Sequence, residues 1–174
     1  MTDDSMTSDP PMDLDYKAIF KRLNEVEIDY IVVGGLAVNF HGVPRMTYDI
    51  DIMILLQNEN VLKLVGQMED WGYRPKIPVD PKELGNPSTR AAWMIEKGMK
   101  ALNFYSESLS VSEIDIVIES PIPYNDLKER AVKFELEEVW IPTVSIHDLI
   151  QLKLKVGRKQ DLSDVESLRK IAER

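Results

Sequence analysis

Apolar residues recur every three or four positions in several segments of the chain, which is the spacing of one face of an α-helix. The longer helical segments cover residues 14–26, 58–71, 146–156 and 162–172, and shorter ones cover 36–40, 123–130 and parts of 81–98. Gly72 and Gly157 directly follow two of the long segments, where glycine favours the end of a helix. Ser145, three positions before Asp148, predicts an N-terminal cap for the helix that begins at residue 146.

Five other stretches have the continuous or alternating apolar pattern of β-strands. They are residues 30–33, 48–56, 101–105, 112–118 and 132–141, and the last divides into two strands if the chain turns around Glu137 and Glu138. A short turn containing Ser and Glu separates the third stretch from the fourth, which predicts an antiparallel hairpin. Residues 74–81 carry three prolines and predict irregular structure.

Strands mixed with helices in this way predict an α/β (α+β) domain, with a mixed β-sheet flanked by helices and followed by C-terminal helices. The chain has 174 residues, enough for one domain with its own core, which we place at residues 14–174. Residues 1–13 are acidic and poor in large apolar side chains. We therefore expect them to form a disordered tail.

The formal net charge is −9, and the aspartates of residues 1–15 account for much of it. This balance disfavours a broad nucleic-acid surface, which needs clustered Lys and Arg, but it is compatible with a small contact to one RNA end. The chain has no cysteine, which excludes disulfides and thiolate chemistry. Its sequence shows neither a secretory signal nor an apolar run of about 18 residues. We therefore expect a cytoplasmic protein without membrane contact.

Asp49 and Asp51 lie two positions apart in the predicted strand 48–56. Both carboxylates should therefore point to one side of the sheet while Ile50 and Ile52 point to the other. Two like charges on an apolar strand are unfavourable unless a cation lies between them, and Mg²⁺ takes such oxygen ligands. The alternative is a pair of carboxylates exposed on the open face of an edge strand.

Asp115 repeats this design, because it is an acid embedded in the β-branched strand 112–118. If this strand neighbours the one that carries Asp49 and Asp51, three carboxylates converge as the ligands of a two-metal site. Such a site stabilises both the attacking and the leaving oxygen in phosphoryl or nucleotidyl transfer. Glu113 shares the face of Asp115 and is a weaker alternative ligand. Taken singly, Asp115 would read as a solvent-facing strand residue.

Gly34 and Gly35 stand between a predicted strand and a predicted short helix. Glycines at this position let backbone N–H groups approach a phosphate closely, although a tight turn alone would also favour glycine. Arg45 precedes the acidic strand and could pair with a triphosphate, or it could simply be solvated.

These residues gain specificity in combination. The chain follows the pattern GG-x-A-x(7)-R-x-T-x-D-x-D with a later strand aspartate, through Gly34, Gly35, Ala37, Arg45, Thr47, Asp49, Asp51 and Asp115. This pattern resembles the nucleotidyltransferase superfamily of the DNA polymerase β type. The R-x-T-x-D-x-D form is similar to its minimal bacterial branch, which includes the AbiEii-type toxin nucleotidyltransferases. A second similarity covers residues 146–164, where Lys153, Arg158, Asp161 and Asp164 match that branch's C-terminal signature.

The resemblance implies transfer of a nucleoside monophosphate from an NTP, such as ATP or GTP, to an acceptor hydroxyl with release of pyrophosphate. It implies that Asp49, Asp51 and Asp115 are catalytic. Asp49 and Asp51 would bind Mg²⁺ or Mn²⁺, and Asp115 would be a further metal ligand or the general base. It assigns nucleotide binding to Gly34, Gly35, Arg45, Thr47, Lys153 and Arg158. From the residues alone, Lys153 could equally be a cation on an amphipathic helix. The chain departs from the branch in having Gln160 before Asp161 and no lysine soon after Asp115.

Two functions from different classes remain open at the sequence level. One is an Mg²⁺-dependent nucleotidyltransferase whose acceptor is an RNA end, a protein hydroxyl or a small molecule. The other is a catalytically weak or inactive nucleotide-binding module that acts through a protein partner, for example in a toxin–antitoxin-type pair. The sequence does not define the oligomeric state.

Overall fold

The computed structural model describes residues 14–174, and the predicted tail 1–13 lies outside the described residues. The strands are β1 (Tyr30–Val33), β2 (Ile50–Ile54), β3 (Arg74–Pro75), β4 (Ala101–Tyr105), β5 (Glu113–Val117), β6 (Val132–Leu136) and β7 (Val139–Thr143). They form one sheet in the order β3-β4-β5-β2-β1-β7-β6. The sheet is mixed, because β2 pairs parallel with β5 and β1 parallel with β7, whereas the other neighbours are antiparallel.

The helices are α1 (Tyr16–Glu25), α2 (Gly34–Phe40), α3 (Asn58–Trp71), α4 (Pro87–Lys97), α5 (Tyr124–Arg130), α6 (Ile146–Val156) and α7 (Lys159–Ala172), with a 3-10 helix at Pro81–Gly85. Helix α2 packs on β1 and β2, α6 packs on α2, and α7 packs on α6. The predicted mixed α/β fold with C-terminal helices is therefore confirmed. This layering places α6 and α7 on the side of α2, which itself packs on β1 and β2.

The central strands are buried by apolar side chains, as their sequence pattern predicts. Ile31, Val32, Ile50 and Ile52 are all 0% exposed. The apolar core is contiguous from α1 to α7. Among residues 14–174, no helix is both long enough and apolar enough to cross a membrane.

Local signals explain several element ends. The Ser145 hydroxyl accepts a hydrogen bond from the Asp148 N–H at 3.2 Å and caps α6. Gly157, with φ of 69°, ends the same helix in the left-handed region. A two-residue turn at Glu137 and Glu138, both with positive φ, joins β6 to β7 and confirms that residues 132–141 divide into two strands.

The structure corrects three predicted boundaries. Strand β2 is shorter than the predicted 48–56, so Asp49 precedes the strand rather than lying inside it. Residues 74–81, predicted to be irregular, include the two-residue strand β3. This strand forms through its pairing with β4, because its own sequence has no strand periodicity. Helix α7 begins at Lys159, before the predicted residue 162, because the Asp161 side chain accepts from the Arg158 N–H and closes its first turn.

Candidate active site

Two neighbouring parallel strands bring the predicted acids together. In the register of β2 and β5, Asp51 lies opposite Asp115, flanked by the buried pairs Ile50 with Ile114 and Ile52 with Ile116. The isoleucines fix which face each strand turns to the core, and the acids follow on the other face. The sequence therefore places these two carboxylates side by side through its alternation.

A third and a fourth carboxylate complete the cluster. Asp49, Glu113 and Asp115 each offer a carboxylate oxygen, and these three oxygens lie within 4.8 Å of one another. All three side chains are partly exposed. Glu113, the weaker alternative in the sequence, thus stands in this group of three, while the Asp51 carboxyl is hydrogen-bonded to that of Asp115. We call Asp49, Asp51, Glu113 and Asp115 the carboxylate cluster.

Burial and mutual repulsion raise the pKa of three of these acids, Asp49, Asp51 and Asp115. The pKa of Asp51 is raised to about 7, first by burial and then by the charges of Asp115 and Asp49, with a hydrogen bond between the Asp51 and Asp115 carboxyls. Burial and the charge of Glu113 also raise the pKa of Asp115, against a hydrogen bond from Asn103 Nδ2 to Asp115 Oδ1 of 2.8 Å. The pKa of Asp49 is raised by burial and by the charges of Glu113 and Asp115. Such a cluster is electrostatically short of positive charge.

Gly34 lies directly against the cluster. Its φ is 67°, and a Cβ added there would stand 2.2 Å from Asp51 Oδ2. Only glycine combines this left-handed backbone with room for the carboxylate. The backbone of the Gly-Gly turn is therefore brought next to Asp51.

The predicted cations Lys153, on α6, and Arg158, just before α7, are held in an ion-pair network. Lys153 is 7% exposed, and its Nζ lies 3.2 Å from Asp161 Oδ1 and 3.0 Å from Asp164 Oδ2. Arg158 Nε lies 2.8 Å from Asp161 Oδ2. Arg45 Nη1 reaches the same Asp164 Oδ2 at 2.5 Å and ties the loop before β2 to α7. We call these five residues the α6–α7 network.

Gly35 packs against this loop rather than against the acids. A Cβ at Gly35 would stand 2.9 Å from Thr47 Oγ1 and 3.3 Å from Arg45 Cζ. Thr47 and Arg45 are therefore placed beside the Gly-Gly turn by close packing.

A cavity of about 500 Å³ joins the cluster to the network. Its polar wall includes Gly34, Asp51, Asp115, Lys153, Arg158 and Asp161. Its apolar wall includes Met53, Val117, Leu149 and Leu152. Five of the nine predicted site residues thus share one cavity, and Asp49 joins them through the cluster.

Lys76 and Asn103 belong to the same site, and the sequence did not indicate either. The Lys76 ammonium pairs with Glu113 Oε1, and the Lys76 N–H donates to the Asn103 carbonyl at 2.8 Å. Asn103 faces Asp115 across the β4–β5 pair. A polar residue opposite a predicted catalytic acid in the predicted hairpin was the one available signal, and it points to Asn103 only.

This arrangement of a mixed sheet, acids on adjacent parallel strands and a Gly-Gly turn is that of a nucleotidyltransferase fold. The lincosamide antibiotic adenylyltransferase LnuA, solved with lincomycin, has a similar structure with a TM-score of 0.60 at 17% identity, covering 88% of this chain and 93% of LnuA. A Thermotoga maritima protein predicted to be a nucleotidyltransferase has a TM-score of 0.56 at 20% identity, with 91% of each chain covered. The antibiotic-resistance factor ANT(2'')-Ia has a TM-score of 0.55 at 14% identity, covering 89% of this chain and 79% of its own.

The sequence profile of the family DUF6036, described as nucleotidyltransferases of unknown function, matches residues 12–173. The chain belongs to this family. No curated protein matches its sequence. The family match confirms the predicted resemblance to nucleotidyltransferases.

Proposed function

We propose that this protein is a metal-dependent nucleotidyltransferase that moves a nucleoside monophosphate from an NTP to an acceptor hydroxyl. The observation that carries the proposal is the parallel pairing of β2 with β5, which sets Asp51 opposite Asp115 with Asp49 beside them. We further propose that residues 14–174 act as a single catalytic unit, which their contiguous core supports.

The carboxylate cluster suits a divalent cation with a preference for hard oxygen ligands, such as Mg²⁺ or Mn²⁺. The raised pKa values of Asp49, Asp51 and Asp115 support this assignment, because burial and, after it, mutual repulsion disfavour the ionised carboxylates, and a bound cation would offset both. A bound divalent ion would polarise the α-phosphate and neutralise charge developing on the leaving pyrophosphate. Asp49, Asp51 and Asp115 are the proposed ligands.

The protein groups have separate tasks in this reaction. The acceptor oxygen forms a bond to the α-phosphorus, the bond from that phosphorus to the bridging oxygen breaks, and pyrophosphate leaves. Asp115 is the proposed acceptor of the hydroxyl proton, and the hydrogen bond from Asn103 holds one of its oxygens. Lys153 and Arg158, which line the cavity, are the proposed partners of the phosphates.

The remaining predicted nucleotide contacts stay proposals. Gly34 is the proposed backbone contact to the triphosphate, since its position beside Asp51 would bring phosphate and metal ligands together. Gly35, Thr47 and Arg45 would form the second layer behind it. The acceptor can be an RNA end, a protein hydroxyl or a small molecule. The lincomycin-bound adenylyltransferase among the structural neighbours makes small hydroxyl compounds the first acceptor class to assay.

Labelled-NTP transfer tests this function directly. The full chain is incubated with each α-labelled NTP, Mg²⁺ or Mn²⁺ and cell extract, and labelled products are sorted by nuclease and protease sensitivity. We expect Asp51→Asn and Asp115→Asn to lower transfer by at least about 10²-fold, as loss of electrostatic stabilisation does in other enzymes. Glu119→Gln, another acid at the same cavity, serves as the matched control. Full activity of Asp51→Asn would refute the assignment.

A second candidate function is a nucleotide-binding module that acts through a protein partner. It is favoured by the α6–α7 network, in which Arg45, Lys153 and Arg158 are already paired with Asp161 and Asp164. Cations neutralised in this way have less charge to offer a triphosphate. Thermal stabilisation by NTP and Mg²⁺ without pyrophosphate release, in every acceptor pool, would support the module over the enzyme.

A further inference from the structure

Lys76 supplies a cation to the carboxylate cluster from outside both sequence motifs. It follows β3, and its backbone N–H is fixed to the Asn103 carbonyl of β4 at 2.8 Å. Its ammonium contacts Glu113 Oε1. The lysine is thus anchored by its backbone at the strand whose Asn103 side chain holds Asp115.

The carboxylate that Lys76 contacts is one of the three with converging oxygens. Glu113 stands with Asp49 and Asp115 in the group whose oxygens lie within 4.8 Å of one another. The charge of Lys76 also lowers the pKa of Asp49 and that of Asp115, against the larger effect of burial. One ammonium therefore acts on all three members of this group.

The contact can be exchanged at small cost. The Lys76 side chain is 42% exposed and that of Glu113 28% exposed. Ion pairs this open to solvent contribute little to stability, because water solvates both partners when they separate. The lysine can swing away from Glu113 without leaving a cavity or a buried charge.

We propose that Lys76 is a tethered cation that occupies the Glu113 side of the carboxylate cluster and competes there with a divalent metal ion. When the lysine moves away, Glu113 becomes an additional oxygen ligand. This inference rests on the proposed function, because it takes the cluster to be the metal site. It gives Lys76 two effects: it offsets one negative charge of the metal-free cluster, and it raises the metal concentration that the protein needs.

Direct binding of Mn²⁺ to the full chain, without nucleotide, tests the inference through the electron paramagnetic resonance signal of free Mn²⁺. We expect Lys76→Gln to bind Mn²⁺ about five- to tenfold more tightly, since a unit positive charge several ångströms from a divalent ion is removed. Lys76→Arg, which keeps the charge, should bind like the wild type. Lys63→Gln is the matched control, because Lys63 forms an exposed ion pair with Glu59 at 3.7 Å on α3.

A second substitution tests the ligand. Glu113→Gln in the Lys76→Gln background should cancel the gain, because the additional oxygen ligand is lost. Unchanged or weaker Mn²⁺ binding by Lys76→Gln would overturn the inference, and so would a gain that survives Glu113→Gln. Nucleotide transfer is measured separately, so a chain that binds Mn²⁺ as expected but transfers nothing would contradict the proposed function and leave the role of Lys76 standing.

Discussion

At the scale of single residues, Asp51 shows how far this site departs from what stability alone would select. It is packed against Gly34 and faces Asp115 across the sheet. Its pKa of about 7 means that ionising it in the metal-free protein costs free energy. A side chain kept at this cost is typical of functional sites.

The free-energy cost of ionising Asp51 predicts that the effect of Asp51→Asn on stability depends on pH. The folded-state pKa of about 7 lies above the ordinary 3.8, so between these values the folded protein binds the proton more strongly than the unfolded chain. Asp51 therefore destabilises the folded protein less as the pH falls from 8 to 5. In EDTA at pH 8, Asp51→Asn should raise Tm by on the order of 5 °C, and the gain should shrink towards pH 5.

Thermal unfolding followed by circular dichroism measures this difference. Addition of Mg²⁺ should stabilise the wild type more than the variant, because the variant lacks a proposed ligand. A variant less stable than the wild type at pH 8 in EDTA would contradict the inference that ionised Asp51 destabilises the metal-free protein.

At the scale of elements, the α6–α7 network fixes where the last helix lies. Lys153 from α6 bridges Asp161 and Asp164 of α7, and Asp164 also holds Arg45. Because these carboxylates are only 2% and 3% exposed, removing their central cation would leave two buried negative charges with only Arg45 and Arg158 to compensate them.

Lys153→Met should therefore destabilise the fold by about 3 kcal/mol or more. Arg158→Ala removes a cation from the same network, but its side chain is 76% exposed, so the loss should stay below about 1 kcal/mol. Urea denaturation of both variants gives the comparison. Equal losses would show that Lys153 is not the centre of the network.

Elements with strong local signals were predictable from the sequence. The alternation around Ile50, Ile52, Ile114 and Ile116 located β2 and β5, and Gly157 located the end of α6. Strand β3 was not predictable, because two residues that include Pro75 carry no periodicity and exist as a strand only through β4.

The site residues likewise include some that the sequence predicts and others that it does not. Asp49 and Asp51 could be proposed from their spacing of two, although Asp49 precedes β2, and Asp115 could be proposed from its place in a β-branched strand. The pairing of Arg45 with Asp164 joins residues 119 positions apart, and that of Lys76 with Glu113 joins residues 37 apart. Local sequence patterns do not indicate either contact, so the partners of these cations can be identified only from the three-dimensional structure.

At the scale of the whole molecule, one core links the first helix to the last. Leu23, Ile52 and Leu168 belong to the same cluster of buried side chains. The proposal that residues 14–174 form a single unit predicts one cooperative unfolding transition. Intrinsic fluorescence, which reports on Trp71, Trp93 and Trp140, should give the same urea midpoint as circular dichroism. Two separate midpoints would indicate two units.

The strand order has a consequence for synthesis on the ribosome. Since β5 inserts between β4 and β2, a nascent chain that ends before residue 113 has Asp51 but no opposing acid. Lys153 and α7 emerge later still. The site therefore cannot assemble before α7 has emerged, and any transfer activity should begin only then.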